Sequence, residues 1–331
     1  MNILGIETSC DETACAIVSN SSVLSSVVYT QEIHKEYGGV VPEIASREHD
    51  KRLPLIINKA LKDSNLKIED IDLIAATYGA GLVGSLVVGL NFAKGLSIGL
   101  RKPFLPINHL EAHMYASSIN NSKFNYPFLS FLVTGGHTQI WIVESINNYK
   151  LISNCIDDAA GEAFDKGARI LGLGYPGGPE IDRISKKGNY KFIDFPRPLI
   201  KSNPMDFSFS GLKTALYYYC KSIDSVSIQE NISCIAASYQ EAIIDTLIFR
   251  LVKSVKKYKI NNIFISGGVA ANSRFRDKTN DLFSNNEYNL FFTDQKYCTD
   301  NAAMIAILAD IKFFKNDILL NKLEQEPVPN L

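Results

Sequence analysis

The six cysteines (Cys10, Cys15, Cys155, Cys220, Cys234 and Cys298) include no C-x-x-C pair. That excludes a cysteine-based zinc ribbon and any evident disulfide framework, and it fits a reducing compartment. Net charge is almost absent as well, at -1 with a pI near 6.5. The chain therefore supplies no positive field of its own, and nucleic-acid binding must rest on local basic patches or on a partner. "NILGIE" is reached with no basic leader or cleavage site before it. No uninterrupted apolar run attains the roughly 18 residues of a membrane span, and the expectation is a soluble, cytoplasmic protein. No stretch rich in Pro, Gly or Ser divides the chain, so its parts should pack closely. The turn "SGGVAANSRFR" has neither the G-x-G-x-x-G spacing of a dinucleotide site nor the trailing Gly-Lys-Ser/Thr of a P-loop.

What is present is an ordinary globular balance over 331 residues, 46% hydrophobic and 21% charged, enough for two domains. "NILGIETS", "ACAIVS" and "SSVLSSVVYT" read as a strand, turn and strands, and residues 42–63 as an amphipathic helix opened by Pro42. "DLIAATYGAG" is a buried strand entering a glycine turn, and "LVGSLVVGLNFAKGLSIGL" a helix with small residues along one side. "PFLPIN" is a strand feeding "NHLEAHMYA". From Tyr126 the opening is echoed: "PFLSFLVTGGHTQIWIVESINNYKLISNC" is again strand, tight turn, strand, strand. Helices are expected at about 159–172, 208–221 and 228–258, then a strand "NNIFISGG" running into a helix at "VAANSRFRDKTNDLF". "LFFTD" and "AAMIAILADIKFFKN" supply a last strand and helix. The alternation predicts an α/β protein of two similar lobes with an interlobe cleft. The division falls at 1–107 and 108–331, with a helical insertion at about 157–225 and a C-terminal helix able to return to the first lobe.

Three stretches can carry chemistry. Glu7, Asp11 and Glu12 crowd the first turn among hydroxyls, where they could hold a metal or orient a phosphate; a solvated polar hairpin explains the stretch equally well. "VTGGHTQ" offers backbone amides in a glycine turn, an anion cradle or a plain hairpin. "SGGVAANSRFR" resembles turns that set a nucleotide against a helix N-terminus. Two phosphate-type hairpins and this turn suggest a cleft of the actin, sugar-kinase and heat-shock ATPase kind. In "HLEAH", His109 and His113 lie four apart on one helical face, a spacing that suits one metal ion. Asp300 in "CTDNAAM" is the chosen third ligand, placed before a helix where it could close the site across the cleft; His137 is a secondary candidate. A zinc peptidase of the H-E-x-x-H kind fits poorly. Glu111 comes two positions after His109, turned about 200° around a helix that advances about 100° per residue. It faces away from the metal, although another carboxylate could act as base. Arg250, Lys253, Lys256 and Lys257 form a modest basic patch.

With those stretches in hand, the chain resembles the tRNA N6-adenosine threonylcarbamoyltransferases (the TsaD, formerly Gcp, family). The resemblance is carried by "GIETSCDETACAIV", "YGGVVPEIASREH", "GAGLVGSL", "HLEAH", "LVTGGHTQ", "IDDAAGEAFDKGARILGLGYPGGPEID", "FSFSGLK", "SGGVAANSRFR" and "CTDNAAMIA", in order from residue 5 to about residue 306. It implies a two-lobed actin-like ATPase fold and carbamoyl transfer from threonylcarbamoyl-adenylate to the adenosine beside the anticodon of tRNA. It also implies His109, His113 and Asp300 as ligands of iron, with zinc as the alternative. Leu132, Val133, Thr134, Gly135, Gly136, Asp165, Gly178, Asp182 and Asn272 are implied to bind substrate. Asp11 and Glu12 match the acidic turn near the reacting centre, and a catalytic role for them is an inference from that match. A TsaB-like paralogue docking on the helix at 42–63, where Ile44, Leu53, Leu55, Ile56, Ala60 and Leu61 spread over more than one side, and a TsaE-like ATPase are the implied partners. Two departures stand out: Ala80 replaces the proline common in the family's "GPGLVG" turn, and "EPVPNL" stands where bacterial members often end in an Arg-Pro-Arg-Trp-like tail. Rival readings are a metallopeptidase and a non-catalytic actin-like scaffold.

Overall fold

In the computed structural model, described for residues 1–37, 39–119, 125–198, 205–284, 287–314 and 322–330, the chain opens with strands β1 (Asn2–Glu7), β2 (Glu12–Ser19) and β3 (Ser22–Thr30). Helix α1 (Pro42–Asp63), β4 (Leu73–Gly79), α2 (Val83–Leu100), β5 (Phe104–Asn108) and α3 (His109–Tyr115) follow. Next come β6 (Phe128–Val133), β7 (Thr138–Ser145) and β8 (Asn148–Ser153), then α4 (Ala160–Ile170), α5 (Gly177–Ser185), α6 (Ser210–Ser222) and α7 (Ser225–Tyr258). The chain continues through β9 (Asn262–Ser266), α8 (Ser273–Leu282), β10 (Asn289–Phe292) and α9 (Ala302–Phe314). Helix α5 was not anticipated. "GYPGGPEID" reads as a loop because of its glycines and prolines, yet Pro176 and the following glycines open a helix instead of ending one.

Two compact units result, Met1–Phe124 with Thr299–Leu331, and Asn125–Cys298. Each holds a five-stranded sheet built the same way. The first runs β3-β2-β1-β4-β5 and the second β10-β9-β6-β7-β8. In each, three strands form an antiparallel meander, and further strands join the meander's first strand in parallel. The echo heard in the sequence is thus topological. The sequence division after residue 107 falls one residue before the end of β5, whereas α3 packs on α9 and stays in the first unit.

The first unit buries Leu4, Ile6, Cys15, Ile17, Ile74 and Ala76 of its sheet against α1 and α2 on one side. On the other side α9, with Ala302, Ala303, Ala306 and Ala309 all fully buried, lies against β1 and β2. Its approach is close enough that a Cβ on Gly5 would stand 2.6 Å from the Ala302 carbonyl oxygen. The small residues expected along α2 have the same explanation, since a Cβ on Gly89 would meet the Thr8 hydroxyl at 2.1 Å. In α1 the apolar residues thought to spread around the helix are mostly covered: Leu53, Ile56, Ala60 and Leu61 are buried, and only Leu55 is widely exposed, at 60%. The second unit has a larger core around α7, packed by β6, β7, α4, α5 and α6. Arg250 lies inside it, 1% exposed, with Nε donating to the Asp206 carbonyl at 2.9 Å. The supposed basic patch therefore loses Arg250, because that face of α7 is the buried one.

Helices α2 and α7 each contain an 18-residue window long and apolar enough, by length and composition, to cross a membrane, although no uninterrupted apolar run fills either window. Single polar residues such as Lys94 interrupt an apolar run without much lowering the mean over a window. In the structure α7 is a core helix, and α2 packs on α1 and β4 with Lys94 donating to the Gln325 carbonyl at 2.5 Å.

Replacing Gly5 by Ala should raise strand propensity yet destabilise the protein by about 1–3 kcal/mol, because α9 leaves no room for the methyl group. Denaturant unfolding checks this; a stability equal to or above that of the parent would contradict the packing of α9 on β1.

Candidate active site

Strand β1 delivers a carboxylate to the interior. Its residues from Ile3 onward are buried, and the run ends on Glu7, 0% exposed. A buried charge must be paired and hydrogen-bonded to persist. Glu7 Oε1 accepts from the Ser9 amide at 2.5 Å, and Oε2 accepts from the Thr77 hydroxyl and lies 3.2 Å from His109 Nδ1. Ser9 Oγ also stands 3.2 Å from that nitrogen. The sequence reading placed Glu7 in an acidic turn and missed this role. Its signal was there, an ionisable residue closing a wholly buried strand.

His109 begins α3, whose N-terminus is capped by Asn108; the Asn108 Oδ1 accepts from Leu110 N at 2.8 Å and Glu111 N at 3.1 Å. One turn on, His113 is fully buried, its ring edge-on to His109 with centroids 4.6 Å apart. Asp300 reaches both: Oδ1 is 3.0 Å from His113 Nε2 and 3.7 Å from His109 Nε2. A second asparagine fixes this carboxylate. Asn301 donates to the Thr299 carbonyl at 2.8 Å and accepts from Met304 N at 3.1 Å, capping α9 directly after Asp300. The expectation that Asp300 closes the site from the far lobe is corrected here. Asp300 belongs to the same unit as the histidines, because α9 returns to pack on β1 and α3.

The ligand atoms of His109, His113 and Asp300 lie within 4.8 Å of one another. Ligands about 2.0–2.2 Å from a tetrahedral ion are about 3.3–3.6 Å apart, a range that the two Asp300 separations of 3.0 and 3.7 Å bracket. Electrostatics agree. Burial pulls the His109 pKa down, but the Glu7 and Asp300 carboxylates outweigh it and raise it to about 9. Burial likewise pushes Glu7 up, and the charge and hydrogen bond of His109 with the bond from Ser9 bring it below its usual value. Glu12 is held well above the ordinary carboxylate range by burial first, then by Asp300 and Asp11, to which it is hydrogen-bonded. The Glu7 and Asp300 charges that raise His109 against its burial favour positive charge at that position. Glu7, bonded to the nitrogen of His109 that faces away from Asp300, is placed to orient the imidazole as a carboxylate does behind a metal-ligating histidine.

Glu111, two positions past His109, turns the other way as its spacing requires. Its Oε2 is 2.6 Å from Lys312 Nζ on α9, both side chains being buried, 3% and 13% exposed. The peptidase reading is left without Glu111 as its base. The pair also ties the helix of the histidines to the helix that follows Asp300.

The implied substrate residues gather in the second unit. Leu132 and Val133 end β6, and Thr134, Gly135 and Gly136 form the turn to β7, closed by Thr134 N donating to the His137 carbonyl at 2.8 Å. His137 thus serves this turn and lies outside the His109, His113 and Asp300 group. The start of α4 grips the turn, with Gly161 N and Glu162 N donating to the carbonyls of Thr134 and Gly135 at 3.3 and 3.2 Å. A Cβ on Gly161 would sit 2.6 Å from the Thr134 oxygen, whereas one on Gly135 or Gly136 would meet nothing within 4 Å. The outer side of the turn is therefore open. Asp165 on α4 accepts from Gly177 N at 2.7 Å, which anchors the α5 N-terminus and Gly178 beside it; burial raises its pKa against those amide bonds. Asp182 accepts from Ser273 Oγ at 2.8 Å, and Asn272 caps α8 while donating to Gln240 at 2.8 Å. Asp182 and Asn272 are joined through the start of α8.

Against this geometry stand the relatives. Residues 22–307 match the family described as tRNA N6-adenosine threonylcarbamoyltransferase, TsaD. The chain belongs to that family. It is 51% identical to the enzyme of that description from Kosmotoga olearia, covering 93% of this chain and 92% of that one. The Fervidobacterium nodosum enzyme of the same description is 48% identical, covering 100% and 98%. Among solved structures, HypF of T. kodakarensis superposes with a TM-score of 0.62 at 14% identity, over 95% of this chain and 48% of its own length. That likeness shows the actin-like α/β fold alone.

Replacing His109 or His113 by Ala should abolish metal binding with cooperative unfolding retained, and Glu7→Gln should weaken binding about 10–100-fold while all three ligands remain. Metal titration of the purified variants checks this; parental affinity in Glu7→Gln would contradict its orienting role. Glu111→Gln should leave metal stoichiometry intact yet cost about 1–3 kcal/mol by removing the charge opposite Lys312. The double variant with Lys312→Met should recover most of that stability in denaturant unfolding. Equal stabilities of the parent and Glu111→Gln would contradict a stabilising pair.

Proposed function

We propose that this chain transfers the threonylcarbamoyl group from threonylcarbamoyl-adenylate to the N6 amine of the adenosine beside the anticodon, position 37, of tRNAs that read ANN codons. Membership of the family carries this reading, and the His109, His113 and Asp300 group supports it. The amine attacks the carbamoyl carbon, a C–N bond forms, the C–O bond to the phosphate breaks, AMP leaves and the amine loses a proton. The target base must leave its stack before it can react, as in other enzymes that modify bases.

On this reading Leu132, Val133, Thr134, Gly135, Gly136, Asp165, Gly178, Asp182 and Asn272 bind the adenylate. The open side of the Gly135-Gly136 turn supports that role, since backbone can approach a phosphate there without side-chain interference. Asp11 and Glu12 act at the reacting centre, where a carboxyl pair is suited to take up the proton that the amine loses. An Fe(2+) ion held by His109, His113 and Asp300, with Zn(2+) as the alternative, would supply Lewis-acid polarisation and a template for the threonylcarbamoyl oxygens.

The protein is assigned to the cytoplasm, where its tRNA substrate is found, and to a complex with a TsaB-like paralogue and a TsaE-like ATPase. Leu55 of α1 and Val83, Val87 and Ile98 of α2 are exposed apolar side chains on two helices packed against each other, which suits a docking face. A chain of net charge -1 also gains from a partner in holding tRNA.

The test is incubation of the metal-loaded protein with unmodified tRNA and threonylcarbamoyl-adenylate, adding the two partners one at a time and analysing nucleosides by mass spectrometry. Threonylcarbamoyladenosine should form and should vanish in Asp11→Asn with metal content unchanged. Absence of product with every component present, or product unaffected by a chelator that strips the metal, would contradict the reading.

A further inference from the structure

The buried face of α1 runs Ala45, His49, Leu53, Ile56, Ile57, Ala60, an apolar stripe at helical spacing with one histidine in it. His49 is 0% exposed and is neither part of the metal group nor close to its ligands in sequence. Both ring nitrogens are used. Nε2 is 2.8 Å from the Cys10 carbonyl oxygen, and Nδ1 is 2.8 Å from Thr13 Oγ1. A carbonyl only accepts, so Nε2 carries the proton and donates, and Nδ1 accepts from the Thr13 hydroxyl. Cys10 and Thr13 are the residues immediately before and after the pair Asp11-Glu12. One planar ring thus spans the acidic turn, holding its backbone on one side and its first buried strand hydroxyl on the other.

The surroundings hold the ring in turn. The Gln31 amide nitrogen lies 3.3 Å from His49 Nδ1 and donates to the Ala45 carbonyl at 3.2 Å. Its Oε1 accepts from His34 Nε2 at 2.9 Å, and His34 Nδ1 accepts from Val41 N at 3.3 Å. The Gln31 backbone amide donates to the Asp11 carbonyl at 3.0 Å, a third anchor on the same turn. Burial draws the His49 pKa below the usual imidazole value, against the Cys10 bond and the Glu7 and Asp11 charges, which suits a ring that must accept at Nδ1. Such a polar chain in an apolar stripe costs desolvation unless its members are hydrogen-bonded, and here each of the three side chains is.

We infer that His49 is a positioning residue for the transfer reaction, clamping the Asp11-Glu12 turn in its working geometry from the inner face of α1. The inference rests on the reading that Asp11 and Glu12 act in transfer. Since a misplacement of about 1 Å can cost about 10²-fold in rate, loss of the clamp acts on turnover and leaves substrate binding and metal content alone.

The experiment compares His49→Phe, His49→Gln, Thr13→Val and Thr13→Ser in the assembled transfer system, with metal content and thermal unfolding measured on each. His49→Phe keeps the ring volume without its hydrogen bonds and should lower kcat about 10–100-fold, with KM for tRNA and for the adenylate within about threefold and metal retained. His49→Gln places a donor near the Nε2 position and should recover much of the loss. Thr13→Val, nearly isosteric in a strand, should lower kcat several-fold, and Thr13→Ser should restore it. Parental kcat in both His49→Phe and Thr13→Val, when Asp11→Asn and Glu12→Gln are impaired, would overturn the clamp. Parental kcat in Asp11→Asn and Glu12→Gln would instead overturn the reading of the turn on which it rests. If His49→Phe does not fold, Thr13→Val decides: parental kcat overturns the clamp, and a loss reversed by Ser supports it.

Discussion

A carboxylate buried at the end of a central strand sets the terms for the first unit. Glu7 cannot remain ionised inside the protein without partners, and every partner it takes organises another segment. The Ser9 amide curls the chain into the acidic turn, the Thr77 hydroxyl ties β4 to β1, and His109 Nδ1 fixes the ring that opens α3. An imidazole held by a carboxylate through one nitrogen presents the other in a defined direction and with raised basicity. The direction here is toward Asp300.

Asp300 in turn depends on the return of α9. The helix follows the second unit in sequence, but its alanines allow it to settle on Gly5 and the neighbouring strand, so Asp300 reaches the two histidines from late in the sequence. Two asparagines do parallel work, Asn108 capping the helix that starts with His109 and Asn301 capping the helix that starts after Asp300. The Glu111–Lys312 pair then joins the two helices at a buried point. His109 and His113 are thus held on a helix and Asp300 just before the cap of another, the rigid support that a metal site would need.

Much of this was legible because local physics dictated it. Pro42 marked the first residue of α1, the small residues along one side of α2 suited it to the close packing it makes, and the four-residue spacing of His109 and His113 placed both on one face. The turn of Glu111 away from the ligands followed from helix geometry alone. What stayed hidden depended on long-range packing. Nothing in "GIETS" says that Glu7 will meet an imidazole some hundred residues away. The glycines of "YPGGPEID" mask α5, and the first of them is demanded by its approach to α4: a Cβ on Gly177 would stand 2.6 Å from that of Ala168. Arg250 looked like surface charge because its neighbours are lysines, yet it sits on the inner side of α7. His49 was visible only as a letter in a motif, since its meaning lies in the turn it reaches.

The most direct test of the site at the centre of this account is X-ray absorption at the metal edge of the protein, purified without chelators and without oxygen. The account predicts one ion per chain, with nitrogen and oxygen ligands only and the multiple-scattering pattern of two imidazoles. Sulfur in the first shell, or a metal signal with no imidazole contribution, would contradict it.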